Sequence, residues 1–299
     1  MDGWGLWDLF LTGLLRGGLY ALMALGLSLV FGVMNIPQFA HGEFYMLGAY
    51  FAYFAFSTLG SNPLLAILLA GAAGFVAGAV VEKTLFVPLR KRGGADWVMN
   101  TFLVTIGLSF ILQNGALALW GPNYRGITRY WSGSLRLGTS MSISLDRVAG
   151  FGLAVGAILA FWLFLVRTRT GRAIRAVAQD ETGAALLGIE PDRIRNLAFA
   201  FSTMLAALAG GSLLSINPAY PAMGSEALFK SWVVVILAGL GSIGAAIPGG
   251  FLVGVLETFG TYAFGAVWQD CVTISIIILI LLFRPSGLFA GQVKGIWER

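Results

Sequence analysis

Eight long apolar stretches, at about 9 to 33, 39 to 59, 63 to 87, 100 to 120, 148 to 166, 196 to 216, 229 to 260 and 263 to 283, take up most of the chain. Each is long enough for a helical membrane span of about 20 residues, and none alternates apolar and polar residues as an outer-membrane barrel strand does. Only 11% of the 299 residues are charged, against roughly a quarter in a soluble domain, too few to cover a soluble surface. The 41 glycines sit inside apolar runs rather than in polar linkers, which excludes a low-complexity or disordered chain. The fold class is therefore all-α, a polytopic helical membrane protein in which residues 1–299 form a single transmembrane domain with broken or re-entrant helices. The first stretch reads as a retained helix and not a cleaved signal peptide: the residues before it carry Asp2 and Asp8 and no Lys or Arg, and the run is too long for a signal core. The single cysteine, Cys271, excludes a disulfide framework and a Cys-rich metal site.

The positions of the 19 Lys and Arg set the orientation. Lys83, Arg90, Lys91 and Arg92 follow the third stretch, Arg167, Arg169, Arg172, Arg175, Arg193 and Arg195 fill the loop after the fifth, and Arg284, Lys294 and Arg299 follow the last. The positive-inside rule places these in the cytoplasm. The other side receives Arg125, Arg129, Arg136 and Arg147, with Arg16 and Lys230 near its helix ends. The net charge of +5 thus marks topology, and nucleic-acid binding is not supported. An outside N-terminus follows, because three crossings precede the Lys83 to Arg92 cluster, and a cytoplasmic C-terminus then requires the 229 to 260 stretch to break the count of crossings. It is interrupted by Gly239-Leu240-Gly241-Ser242-Ile243-Gly244 and by Pro248-Gly249-Gly250, residues that disfavour a continuous helix. Two helical pieces, a re-entrant hairpin or two short crossings, are expected there. A matching interruption lies at Asn35-Ile36-Pro37-Gln38, running into His41-Gly42-Glu43. Paired interruptions of this kind point to a transport pathway, and no internal sequence repeat accompanies them.

Residues fit for chemistry are few. His41 and Glu43, two apart, face different sides of a helix and do not make a zinc pattern, so no metal site is expected. None of Lys83, Lys91, Lys230 and Lys294 follows a glycine, so the phosphate-binding Gly-x-x-x-x-Gly-Lys-Ser/Thr loop is missing. If ATP powers this chain, another chain hydrolyses it. Ionisable groups inside spans are costly, and each is a functional candidate. His41 and Glu43 either brace a broken helix or meet substrate, with Glu43 placed near the cytoplasmic start of the second stretch. Arg16 reads as a snorkelling or structurally paired residue, Glu257 and Asp270 as interface positions, and Glu226 with Lys230 as a local i, i+4 ion pair. Gly71, Gly74 and Gly78 read as a close helix contact. Gly239, Gly241, Ser242 and Gly244 offer half-helix ends and free amides for an α-carboxylate. Within the cytoplasmic loop 167–195, residues Thr170 to Ile189 read as one short amphipathic helix ending at Gly188. Asp180 and Glu181 at its centre favour a protein groove over anionic lipid.

Taken in order, Gly17-Gly18-Leu19-Tyr20-Ala21-Leu22, Phe39-Ala40-His41-Gly42-Glu43-Phe44-Tyr45, Gly171 through Ile189, and Leu237 through Ala245 with Pro248-Gly249-Gly250 resemble the permease family of branched-chain amino acid ABC importers, of the LivH type. Gln38 stands where that family commonly has Asn. The resemblance implies a multi-pass permease of a prokaryotic inner membrane. It implies a pathway shared with a second homologous permease subunit, two cytoplasmic ATPases that bind ATP and Mg, no cofactor in this chain, and an extracytoplasmic substrate-binding protein. Under it, Arg175, Asp180, Glu181, Ala184, Leu187 and Gly188 couple to an ATPase, while Gln38, His41, Gly42, Glu43, Gly239, Gly241, Ser242 and Gly244 belong to the pathway. The loop around Trp120, Tyr124, Arg125, Arg129, Tyr130 and Trp131 docks the binding protein or forms an interfacial aromatic belt. Three rival readings stay open: a permease for urea, amides or other amino acids; an ion-coupled carrier or channel using Glu43, Glu257 and Asp270; and a membrane enzyme using His41 and Glu43.

Overall fold

Apolar stretches of this length fold as helices because backbone in lipid must satisfy its own hydrogen bonds, and a helix does so within one segment. The computed structural model describes residues 3–92, 97–137 and 141–289. The first helices are α1 (Gly3–Met34), α2 (His41–Ser57), α3 (Pro63–Val81), α4 (Val87–Arg92), α5 (Trp97–Trp120) and α6 (Leu145–Arg167). They are followed by α7 (Arg169–Gln179), α8 (Glu181–Leu186), α9 (Pro191–Leu213), α10 (Met223–Ala238), α11 (Ala246–Phe264) and α12 (Gln269–Phe283). A π-helical turn, Glu82–Phe86, joins α3 to α4. Between α5 and α6 lies an antiparallel hairpin of β1 (Ser134–Leu137) and β2 (Met141–Ser144). Among the described residues, 6 helical stretches are long and apolar enough to cross a membrane. The protein is a multi-pass helical membrane protein.

Small residues set the central packing, since in lipid they let helix backbones approach. α1 and α11 run antiparallel in backbone contact: Gly13 meets Val255, Gly17 meets Gly254, and Ala21 meets Gly250. A Cβ on Gly13 or Gly17 would come within 2.7 Å of a backbone Cα of α11. α10 runs beside α1 in the same direction, with Lys230 at the level of Tyr20 through their shared partner Glu257, and Trp232 edge-on to Phe31. Gly74 and Gly78 of α3 pack on Thr203 of α9 and Gly71 on Leu208, the close contact expected of that glycine series.

The 229 to 260 stretch is two helices, α10 and α11, running in opposite directions. Gly239 (φ 108°) and Gly241 (φ 81°) make the turn between them, in a region costly for any residue with a Cβ. At the other interruption Asn35 (φ 54°) closes α1, its N–H donating to the Phe31 carbonyl at 2.9 Å. The segment 36–40 then leads back so that the His41 ring packs against Gly26 of α1. The two interruptions touch: a Cβ on Gly32 would lie 2.8 Å from the Gly241 carbonyl oxygen. The bundle thus has an arginine-rich end, formed by α4, α7, α8 and the start of α9, and a hairpin end. Lys294 and Arg299, read as cytoplasmic, lie outside the described residues.

Candidate functional site

The residues of the first interruption are built into the core. Thr105 of α5 patches the free backbone of the extended segment: Phe39 N–H donates to its hydroxyl at 3.3 Å, and the hydroxyl reaches the Pro37 carbonyl at 3.4 Å. Gln38 is buried and its Nε2 has no hydrogen-bond partner. The His41 ring, fully buried, ties three helices together. Its Nε2 lies 3.1 Å from the Met23 carbonyl of α1, and its Nδ1 lies 3.3 Å from Ser202 Oγ of α9. A carbonyl only accepts, so Nε2 carries the proton and Nδ1 accepts from the serine. Glu43 points elsewhere: Ser109 of α5 donates to Oε1 at 3.0 Å, and Oε2 is buried without a partner. Gly42 lies against Gly224, so α2 and the start of α10 meet backbone to backbone. Glu43 therefore sits at the level of Met23 to Gly26, deeper in the bundle than the cytoplasmic helix start its sequence position indicates.

The second interruption is placed differently. Gly239 packs on Gly287, Gly241 on Gly32, Ser242 N–H donates to the Gly239 carbonyl at 3.1 Å, and Gly244 faces open space. This loop is at the arginine-rich end of α1. Neither it nor Gln38, His41, Gly42 and Glu43 lines the main cavity, so the sequence-derived pathway candidates divide into a core brace and a turn at the arginine-rich end.

The main cavity, ≈ 470 Å³, opens toward the hairpin half of the bundle, between α1, α10, α11 and the 214–222 connection. Its wall carries Arg16, Arg147, Glu226, Lys230 and Glu257 among apolar residues such as Leu19 and Met223. Lys230 pairs with Glu257 at 3.1 Å and with Asp270 at 2.5 Å. This corrects the local Glu226–Lys230 pair: helix packing brings two carboxylates from α11 and α12 to the lysine, and Glu226 is left on the cavity wall. Glu257, fully buried, also accepts from the Tyr20 hydroxyl at 3.1 Å and from Gln269 Nε2. Glu257 and Asp270 thus meet through Lys230 between α10, α11 and α12, with Glu257 buried and Asp270 exposed. Arg16 is a cavity-lining residue.

At the hairpin end, Trp120 stacks on Tyr50 with centroids 4.2 Å apart, and Arg125 donates to the Trp120 carbonyl at 3.0 Å beside Tyr53 and Phe54. The Tyr130 hydroxyl donates to the Gly211 carbonyl at 3.3 Å. Burial, and then the Asp146 carboxylate, raises the Tyr130 pKa, which keeps that donor protonated. Tyr124 and Arg129 remain exposed.

The arginine-rich end corrects the single amphipathic helix. α7 stops at Gln179, Asp180 is extended (φ −152°, ψ 104°), and α8 is a separate turn closed by Gly188 (φ 83°). Arg175, Asp180 and Leu187 are exposed, whereas Ala184 is buried and Glu181 is engaged by Arg195. Leu186, in the same Asp180 to Gly188 stretch, is like Leu187 84% exposed. The network behind them was not legible in the sequence. Arg195 reaches Asp192 at 3.1 Å, Asp192 binds Arg90 at 2.9 Å, and Arg90 binds the fully buried Glu82 at 2.9 Å. The Asn196 amide donates to Glu82 at 2.9 Å. A chain of charge-assisted bonds therefore runs from α8 through α9 to the π-helical turn below α3.

Broken helices around a charged cavity, with a small helical corner projecting from one end, define a polytopic membrane protein of the transport type. The family described as "Branched-chain amino acid transport system / permease component" matches residues 9–281, and the chain belongs to it. The chain is 34% identical, over 93% of both chains, to the high-affinity branched-chain amino acid transport system permease protein BraD of Pseudomonas aeruginosa. It is 31% identical, again over 93% of both, to the corresponding protein LivH of Escherichia coli. To LivM of Salmonella typhimurium it is 29% identical, over 93% of this chain and 71% of that one. No solved structure matches.

Proposed function

We propose that this chain is the membrane-spanning permease subunit of an ATP-binding-cassette importer for branched-chain, hydrophobic amino acids. It shares the pathway with a second homologous permease, with its arginine-rich end in the cytoplasm and its hairpin end outside. The observation that carries the reading is the family match across residues 9–281, together with the α7–α8 corner. There, two leucines are held in the open by a fold that buries Ala184 beneath them. Such an apolar knob on a charged surface fits a protein groove. Two ATPase subunits supply the energy, and ATP-driven closure acts by changing the relative stability of inward-open and outward-open states. An extracytoplasmic binding protein delivers the substrate to the hairpin end. Proteoliposomes holding the permease pair and its ATPases test this. They are expected to accumulate leucine only when ATP and the binding protein are supplied. Accumulation driven by a proton or sodium gradient with no ATPase present would replace the reading with that of an ion-coupled carrier.

A further inference from the structure

The cavity wall carries three charges that form no ion pair among the described residues, namely Arg16, Arg147 and Glu226. Lys230, the cation nearest to Glu226 in sequence, is already satisfied by Glu257 and Asp270. All three are exposed while lining the cavity, so they are accessible to a charged ligand. Here they come in both signs, from α1, α6 and α10, around one cavity. Tyr45 and Tyr220 line the same cavity as Glu226. Glu257 adds a further acceptor: it is fully buried, it lines the cavity, and its Oε2 has no hydrogen-bond partner. Between the charged groups the wall is apolar, with Leu15, Leu19, Ile216 and Met223. The volume, ≈ 470 Å³, falls within the roughly 300–1,000 Å³ of small-molecule sites.

We propose that this cavity, inside a single permease subunit, binds an α-amino acid zwitterion, with its carboxylate on Arg16 and Arg147, its ammonium on Glu226, and its side chain on the apolar wall. The proposal rests on the amino-acid permease reading and goes beyond it by assigning the site. A neutral amide or urea has no use for two unpaired guanidiniums, and Glu226 repels a simple anion.

Thiol protection in the assembled transporter tests it, in a Cys271→Ser background with Ile216→Cys as reporter on the cavity wall. Leucine is expected to slow alkylation of the reporter. At the same concentration 4-methylpentanoate, which lacks the amine, and 3-methylbutylamine, which lacks the carboxylate, are expected not to. Glu226→Gln and Arg16→Gln are each expected to raise the leucine concentration for half-protection about tenfold or more, with Glu226→Asp restoring part of it. Equal protection by either single-charge analogue overturns the proposal in the unsubstituted wall, whether or not the variants assemble. So does an absence of leucine protection in a transporter that still takes up leucine with ATP, an outcome that leaves the permease reading standing. A wild-type transporter that moves no amino acid fails that reading itself.

Discussion

Lys230 holds a charge cluster whose other end, Glu257, is fully buried. Removing one partner of a buried pair strands the other, at about 3–5 kcal/mol. Lys230→Met should therefore lower the thermal midpoint of the purified protein strongly, and adding Glu257→Gln should recover most of the loss. A double variant no more stable than the single one would show that the pair does not carry this stability. His41 has a different job. It bonds Met23 and Ser202 but lies off the cavity wall, so it braces α1, α2 and α9. His41→Ala should cost about 2–4 kcal/mol through lost bonds and a void, while the correctly assembled fraction keeps its leucine uptake. A variant with unchanged melting and no uptake would place His41 on the pathway. Three of the six basic residues on the arginine-poor side, Arg16, Arg147 and Lys230, line the cavity, so part of the wall was readable from charge placement. The pairing of Lys230 was not readable, because Glu257 reaches it only through the packing of α10 on α11.

At the level of elements, the two interruptions differ in how they are made. Asn35 ends α1 with one residue at positive φ, whereas Gly239 and Gly241 share the turn into α11. Gly and Pro punctuation made both visible in the sequence, since these residues weaken helices wherever they stand. The break at Asp180 carried a weaker signal, an Asp followed by Glu181 at a helix start, and helix-forming neighbours hid it. Within the glycine-rich turn, conformation sorts residues that look alike in sequence. Gly241→Ala should cost about 1–2 kcal/mol because its φ of 81° suits only glycine. Gly244→Ala faces open space and should be close to neutral in the same melting assay. Equal effects at the two positions would contradict the turn geometry.

For the whole molecule, scarcity of charge has two consequences. Among the described residues the buried charged side chains are Glu43, Glu82, Asp146, Arg195 and Glu257, and most of the basic residues mark the arginine-rich end. There the ion network from Glu181 to Glu82 ties the α7–α8 corner to α3 and α9, and under the proposed coupling role it would carry a push on the corner to the long helices. Glu181 serves that internal network, and its charge reversal tests the network. Asp180 and the two exposed leucines test the docking surface. The most direct test of the account is the amount of ATP hydrolysed per leucine moved by the reconstituted transporter, with and without Leu186→Ser and Leu187→Ser. The double variant is expected to fold and melt like the parent but to lose about tenfold or more of its ATP-driven uptake, as when an anchoring apolar contact is removed. Uptake and hydrolysis both unchanged would contradict the claim that this corner is where the energy enters.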